Sequence, residues 1–69
     1  MAINLIPVSS SNIKAIGYEN ATLVIKFKNG AKYEYYDVPE IVWLSLKSAS
    51  SIGSYYHANI KGVYNSSKI

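Results

Sequence analysis

TLVIKFKNGAKYEYYDVP, residues 22–39, decides the fold. Leu23, Ile25 and Phe27 alternate with Thr22, Val24, Lys26 and Lys28, the period of two that marks a half-buried strand. Asn29-Gly30 is a hairpin signal. A two-residue turn there pairs Phe27 with Lys32 and Ile25 with Glu34, which sets charges on the apolar face. A three-residue loop, Lys28-Asn29-Gly30 with Gly30 left-handed, pairs Phe27 with Ala31, Ile25 with Tyr33 and Leu23 with Tyr35. Only the second register gathers the apolar residues on one face, and a one-residue slip reverses every side chain, so the second is expected. The opposite face then carries Val24, Lys26, Lys32, Glu34 and Tyr36.

Upstream, Ile3 to Val8 reads as an extended lead-in, with Pro7 unable to donate in a central strand. Ser9 to Asn12 is a polar turn, and Ile13 to Tyr18 is a first strand with Ile16 and Tyr18 inward and Lys14 at the rim. After a turn at Glu19-Asn20, the hairpin completes a three-stranded antiparallel meander. Downstream, Pro39 opens a helix over Glu40–Ala49, because the missing proline N–H costs nothing in a first turn. Asp37 is a nearby cap candidate and Glu40 suits the positive helix end. Ile41, Leu44 and Ser48 share one face of this helix, Val42, Leu46 and Ala49 widen the apolar surface, and Trp43 and Lys47 lie i,i+4 on another. Ser51 caps a second helix running to about Lys61, with Ile52, Tyr55, Tyr56 and Ile60 inward, Gly53 for close packing and Gly62 as terminator. Val63-Tyr64 adds a short strand or packs down, and residues 65–69 form a loose tail. The expected class is α+β, a three-stranded antiparallel sheet with two helices packed on one face, in a single domain over residues 1–69.

Sixty-nine residues hold a core worth on the order of 3–5 kcal/mol. With no cysteine, neither a disulfide nor a thiolate metal site supports it. The N-terminus lacks the basic and apolar regions of a signal peptide, and no apolar run approaches the roughly 18 residues that span a bilayer. The expected location is therefore cytoplasmic, and the Asn-x-Ser/Thr sequons at Asn20 and Asn65 are read as chance matches. Net charge is +3, from seven lysines and four acids. That bias suits acidic partners, although without arginine there is no bidentate phosphate recognition.

Little here supports catalysis. His57 is the only histidine and reads as a solvent-facing helix residue. Glu19, Glu34, Asp37 and Glu40 have neither metal-ligand nor hydrolase spacing, and the serines at 9–11 and 50–51 suit turns and caps. A non-enzymatic module with no cofactor and no metal is expected. A binding surface is better represented. Lys26, Lys28 and Lys32 cluster about the hairpin turn, with Tyr36 on the face of Lys26 and Lys32, while Lys61 and Tyr64 form a second cluster. Lysines attract phosphates and an exposed aromatic stacks a base. Tyr33, Tyr35, Tyr55 and Tyr56 are expected in the core. Trp43 is a candidate protein-interface anchor, and Ser10 and Asn12, with Lys61 and Tyr64, are candidates for holding a small anionic nucleotide.

The chain resembles the KTSC domain, a short module at the C-terminus of some lysyl-tRNA synthetases that also stands alone in bacteria or phages. The resemblance runs through Val8-x-Ser10-Ser11-x-Ile13-x-x-Ile16-Gly17-Tyr18. It continues in Leu23-x-Ile25-x-Phe27-x-x-Gly30-x-x-Tyr33-x-Tyr35-x-x-Val38-Pro39. It closes with Ala49-x-Ser51-x-Gly53-x-Tyr55-Tyr56 and Ile60-Lys61-x-x-Tyr64. His57 stands where the family pattern often has asparagine. The family context implies RNA binding and transfers no functional residue. Three functions are thus expected, in order: a module binding nucleic acid, RNA above all; a protein–protein or homo-oligomeric adaptor, phage-encoded in one version; and a binder of a small anionic nucleotide.

Overall fold

Residues 3–69 are described in the computed structural model, and the hairpin is its centre. Strands β3 (Thr22–Phe27) and β4 (Lys32–Tyr35) pair Leu23 with Tyr35, Ile25 with Tyr33 and Lys26 with Lys32. This is the register of the three-residue loop. Phe27 N–H donates to Ala31 O at 2.8 Å, and Gly30 takes φ +96°, a conformation open to glycine. The Asn29 side chain accepts from Ala31 N–H at 2.9 Å and closes the turn. Strand β4 ends at Tyr35, and Asp37 just beyond it turns left-handed at φ +58°.

The sheet has five antiparallel strands in the order β1-β2-β3-β4-β5, not three. β1 (Ile6–Pro7) and β5 (Ser66–Lys68) are the additions, taken from segments expected as a lead-in and a loose tail. Both are short and lie at the edges, where Pro7 costs no central-ladder bond. Neither carries an apolar alternation. They are held by the ladder itself, with Tyr35 opposite Ser66 and Tyr33 opposite Lys68.

β2 (Ile13–Glu19) contains a bulge at Lys14, since Ile13 pairs with Phe27 and Ala15 with the adjacent Lys26. Strict alternation places Ile13 and Ile16 on opposite faces, but the extra residue brings both into the core, where each is essentially inaccessible. The turn to β3 falls on Asn20-Ala21, one residue later than expected, with φ of 51° and 63°. Two positive φ values make the hairpin turn whose twist matches the strands.

Helices α1 (Glu40–Ser48) and α2 (Ile52–Asn59) cover one face of the sheet. Leu23, Ile25, Tyr35, Trp43, Leu46, Tyr56 and Ile60 meet there. Asp37 does not cap α1: the N-cap is Pro39, without a side-chain hydrogen bond. Leu46 is buried and Val42 packs on the core, as expected of the apolar surface of α1, but Trp43 joins them while Ile41 is 66% and Leu44 43% exposed. The reason is Trp43, which stacks on Tyr18 at 5.6 Å between ring centroids and turns the helix about its axis. Ser51 caps α2 as expected and accepts from Ser54 N–H.

The opposite sheet face is not wholly polar. Val24 is 4% exposed and its partner Gly17 is buried. A Cβ at Gly17 would lie 2.5 Å from the Asn4 carbonyl oxygen and under 3 Å from the side chains of Ile3 and Leu5, so the lead-in crosses this face directly over Gly17. Val24, expected on a solvated surface, therefore belongs to a second, smaller apolar layer. No helix among the described residues is long and apolar enough to cross a membrane.

Candidate nucleic-acid interface

A cavity of about 390 Å³ lies between the hairpin turn and the C-terminal end of α2. It falls within the size range of small-ligand sites, roughly 300–1,000 Å³. Phe27, Tyr33, Tyr35 and Tyr56 form its floor. Alternation along β3 and β4 points the first three to the helix side, and α2 delivers Tyr56 onto them. The rings pack edge to face, Phe27 on Tyr56 at 5.5 Å and Tyr35 on Tyr56 at 5.8 Å, which fixes their orientation.

The polar rim comes from three further segments. Asn12 is held beside the hairpin by its carbonyl, which accepts from Lys28 N–H at 2.9 Å. Its Oδ1 accepts from the Ser10 hydroxyl at 3.3 Å and faces Gly53 of α2. Asn29 sits in the turn, while His57 and Lys61 stand exposed at the end of α2. Among the described residues, none of the side chains lining this groove is acidic. Glu19 and Glu34 instead line a separate cavity of about 310 Å³ on the opposite sheet face.

On the floor, the hydroxyls of Tyr35 and Tyr56 bond to each other at 2.5 Å. Burial pushes the Tyr35 phenol well above its ordinary value of 10.0, and the hydrogen bond with Tyr56 adds to the shift. A raised folded-state value means that stability is fully present below the unfolded pKa and is lost as pH rises beyond it. Thermal unfolding followed by circular dichroism from about pH 8 to about pH 11.5 should therefore show a midpoint falling above about pH 10, with a shallower fall in Tyr35→Phe. Equal alkaline slopes in the two proteins would contradict the buried pair.

The expected binding residues do not form one surface. Lys26 and Lys32 face each other directly across β3 and β4 on the sheet face away from the groove. Tyr36 donates its hydroxyl to Glu34 at 3.1 Å and lines the cavity holding Glu19 and Glu34, so it stands in acidic surroundings rather than among phosphate-attracting lysines. Lys28 is exposed in the turn beside Asn29. Tyr64 packs partly buried against the core. Trp43 is 9% exposed, stacked on Tyr18 with the Lys47 ammonium 5.0 Å above its ring, and does not project as an interface anchor. Of the proposed nucleotide-holding set, Asn12 and Lys61 line the groove and Ser10 steadies Asn12. Sequence reasoning passed over Tyr33, Tyr35 and Tyr56 as plain core, and His57 and Asn29 as surface. The available signal was that Tyr35 and Tyr56 both face inward with hydroxyls that need a partner.

Comparison with known proteins agrees with this architecture. The family model of the KTSC domain matches residues 9–64. The chain is 41% identical over 66 residues to a lysine–tRNA ligase of Nostoc sp., an alignment covering 93% of this chain and 12% of that protein. It thus spans about an eighth of the length of that relative. It is 42% identical over 57 residues to a small protein of Tsukamurella paurometabola, covering 80% of this chain and 85% of that one. The crystal structure of a KTSC domain protein from Yersinia pestis superposes with a TM-score of 0.92 at 41% identity, over 99% of both chains.

Proposed function

The chain belongs to the KTSC domain family, and from that premise we propose that it is a non-enzymatic module that binds RNA in the groove between the hairpin turn and α2. One observation carries the proposal: the groove joins an aromatic floor to a rim with Lys61, His57 and two carboxamides, and has no acid in its lining. Such a site attracts phosphate and offers π-surface to an unstacked base. That relatives at 41% and 39% identity are named lysine–tRNA ligases supports the choice of RNA as the ligand class. A binding role, rather than catalysis, rests on the exposure of the single histidine and on its separation from Glu19 and Glu34, which line the opposite sheet face.

Fluorescence anisotropy with labelled tRNA and single-stranded RNA over a salt series tests this. Affinity should be weak and fall with salt. Lys61→Ala should lower the logarithmic salt slope by about one, whereas Lys26→Ala, on the far face, should leave it nearly unchanged. No detectable binding of either RNA at low ionic strength would refute the proposal.

A second reading, contact with another protein, draws on Ile41 and Leu44, which α1 presents one turn apart to solvent. Sedimentation velocity of the wild type and Ile41→Glu checks its homo-oligomeric form. A concentration-dependent dimer abolished by the substitution supports it, and a monomer at all concentrations removes it.

A further inference from the structure

We propose that His57 and Lys61 form a proton-linked phosphate subsite at the end of α2, so that the groove holds RNA more tightly once His57 is protonated. The inference rests on the RNA-binding reading and says which side chains meet the RNA backbone.

Helix geometry sets the pair. Residues four apart lie on one helix face, with about 5–6 Å between Cβ atoms. His57 belongs to the last turn of α2, and Lys61 stays wound on that turn because its N–H donates to Tyr56 O at 2.9 Å. Both residues are exposed and both border the groove. The imidazole lies 6.4 Å from the Tyr56 ring of the floor, between centroids. A nucleotide on that floor therefore has these two side chains as the cations of its groove.

Charge decides what the pair does. The C-terminal end of a helix carries roughly half a negative charge, so Lys61 alone leaves a surplus of about half a positive charge, and a protonated His57 raises it about threefold. Two cations at this spacing disfavour each other. An anion between them removes that cost, so taking up the proton and holding the phosphate support one another. The protonated ring also has two donors, where the neutral one has a donor and an acceptor.

No neighbouring group competes for this role. Histidine is the side chain whose charge ordinarily changes between about pH 5 and pH 8, and the chain has one histidine and no cysteine. Besides Lys61, the titratable side chains lining the groove are Tyr33, Tyr35 and Tyr56, and a phenol carries no charge near neutrality. The charged groups on the elements around α2 are Glu40 and Lys47 of α1, Lys28 of the hairpin turn and Lys68 of β5, and none of them borders the groove. Glu19, Glu34, Lys26 and Lys32 lie on the far sheet face.

Fluorescence anisotropy with labelled oligouridylate, which has no group titrating near neutrality, decides the matter at about pH 8 and about pH 5.5. At low salt the wild type should bind about three- to fivefold tighter at the lower pH, and its logarithmic salt slope should steepen by about one. His57→Asn, which keeps a polar side chain and removes the titrating ring, should bind equally at the two pH values. A further readout does not need the variant. The midpoint of the His57 C2–H titration, followed by proton magnetic resonance, should move to higher pH with oligouridylate bound, because the coupling is reciprocal. Equal wild-type affinity at the two pH values, an unmoved midpoint, or a pH effect that survives in His57→Asn overturns the subsite and leaves RNA binding standing. Absence of binding at both pH values overturns the two together.

Discussion

Leu46→Ala should leave much of the protein unfolded at room temperature. Leu46 is fully buried between α1 and the sheet, in contact with the core built on Ile13, Leu23 and Ile25. Truncating a buried leucine costs about 2–5 kcal/mol, from lost transfer energy and the cavity left behind. A domain of this size has only about 3–5 kcal/mol in total, with no disulfide to add to it. Urea unfolding followed by far-ultraviolet circular dichroism should show the variant with no native baseline, or only a short one. The exposed Leu44 is the control. Leu44→Ala, on the same helix, should shift the midpoint little, within about 0.5 kcal/mol. Comparable losses at both positions would contradict the orientation of α1.

Gly17→Val should lift the N-terminal lead-in off the sheet. The Cβ it adds meets the Asn4 carbonyl oxygen at 2.5 Å, and that atom is backbone, so no rotamer change relieves the overlap. Either β2 shifts, which disturbs its ladder to β3, or Ile3 to Leu5 leave and uncover Val24 and Ala15. The second costs less, since β1 is a two-residue edge strand. The loss should be about 2–3 kcal/mol, in the range of overpacking against an unyielding neighbour. Limited proteolysis should then cut ahead of Ser9, with rapid amide exchange in residues 3–8 and continued protection of β3. An unchanged proteolytic pattern would mean that the lead-in does not lie on Gly17.

Local physics made the hairpin legible and left the edges obscure. The β3–β4 register followed from Leu23, Ile25, Phe27, Tyr33 and Tyr35, because one slip exposes all of them. The edge strands had no such pattern. Ser66-Ser67-Lys68 is polar at every position, and its pairing is a matter of available β4 backbone rather than side-chain preference. The bulge at Lys14 was equally silent, since an extra residue changes which neighbours face the core without changing composition. On α1, helical spacing allowed two apolar arcs, and the Tyr18–Trp43 stack chose between them.

The candidate site was legible only in fragments. Lys61 and Asn12 were recognised from charge and polarity, yet Lys26, Lys32 and Tyr36 fell on the other side of the sheet. Strand alternation had already set Lys26, Lys32 and Tyr36 on the face away from the apolar side, as the register shows; what no local pattern gave was the packing that brings Lys61 beside the hairpin turn. Tyr35 and Tyr56 are both core and lining: each belongs to the buried cluster and each also borders the groove.

The most direct test of the account is an amide chemical-shift map of the protein titrated with a short single-stranded RNA. The groove predicts shifts concentrated at Asn12, Asn29, Tyr33, Tyr56, Lys61 and Ser66, with the far-face residues Lys26, Lys32 and Tyr36 nearly still. Shifts centred on Lys26, Lys32 and Tyr36, or none anywhere at low salt, would contradict it.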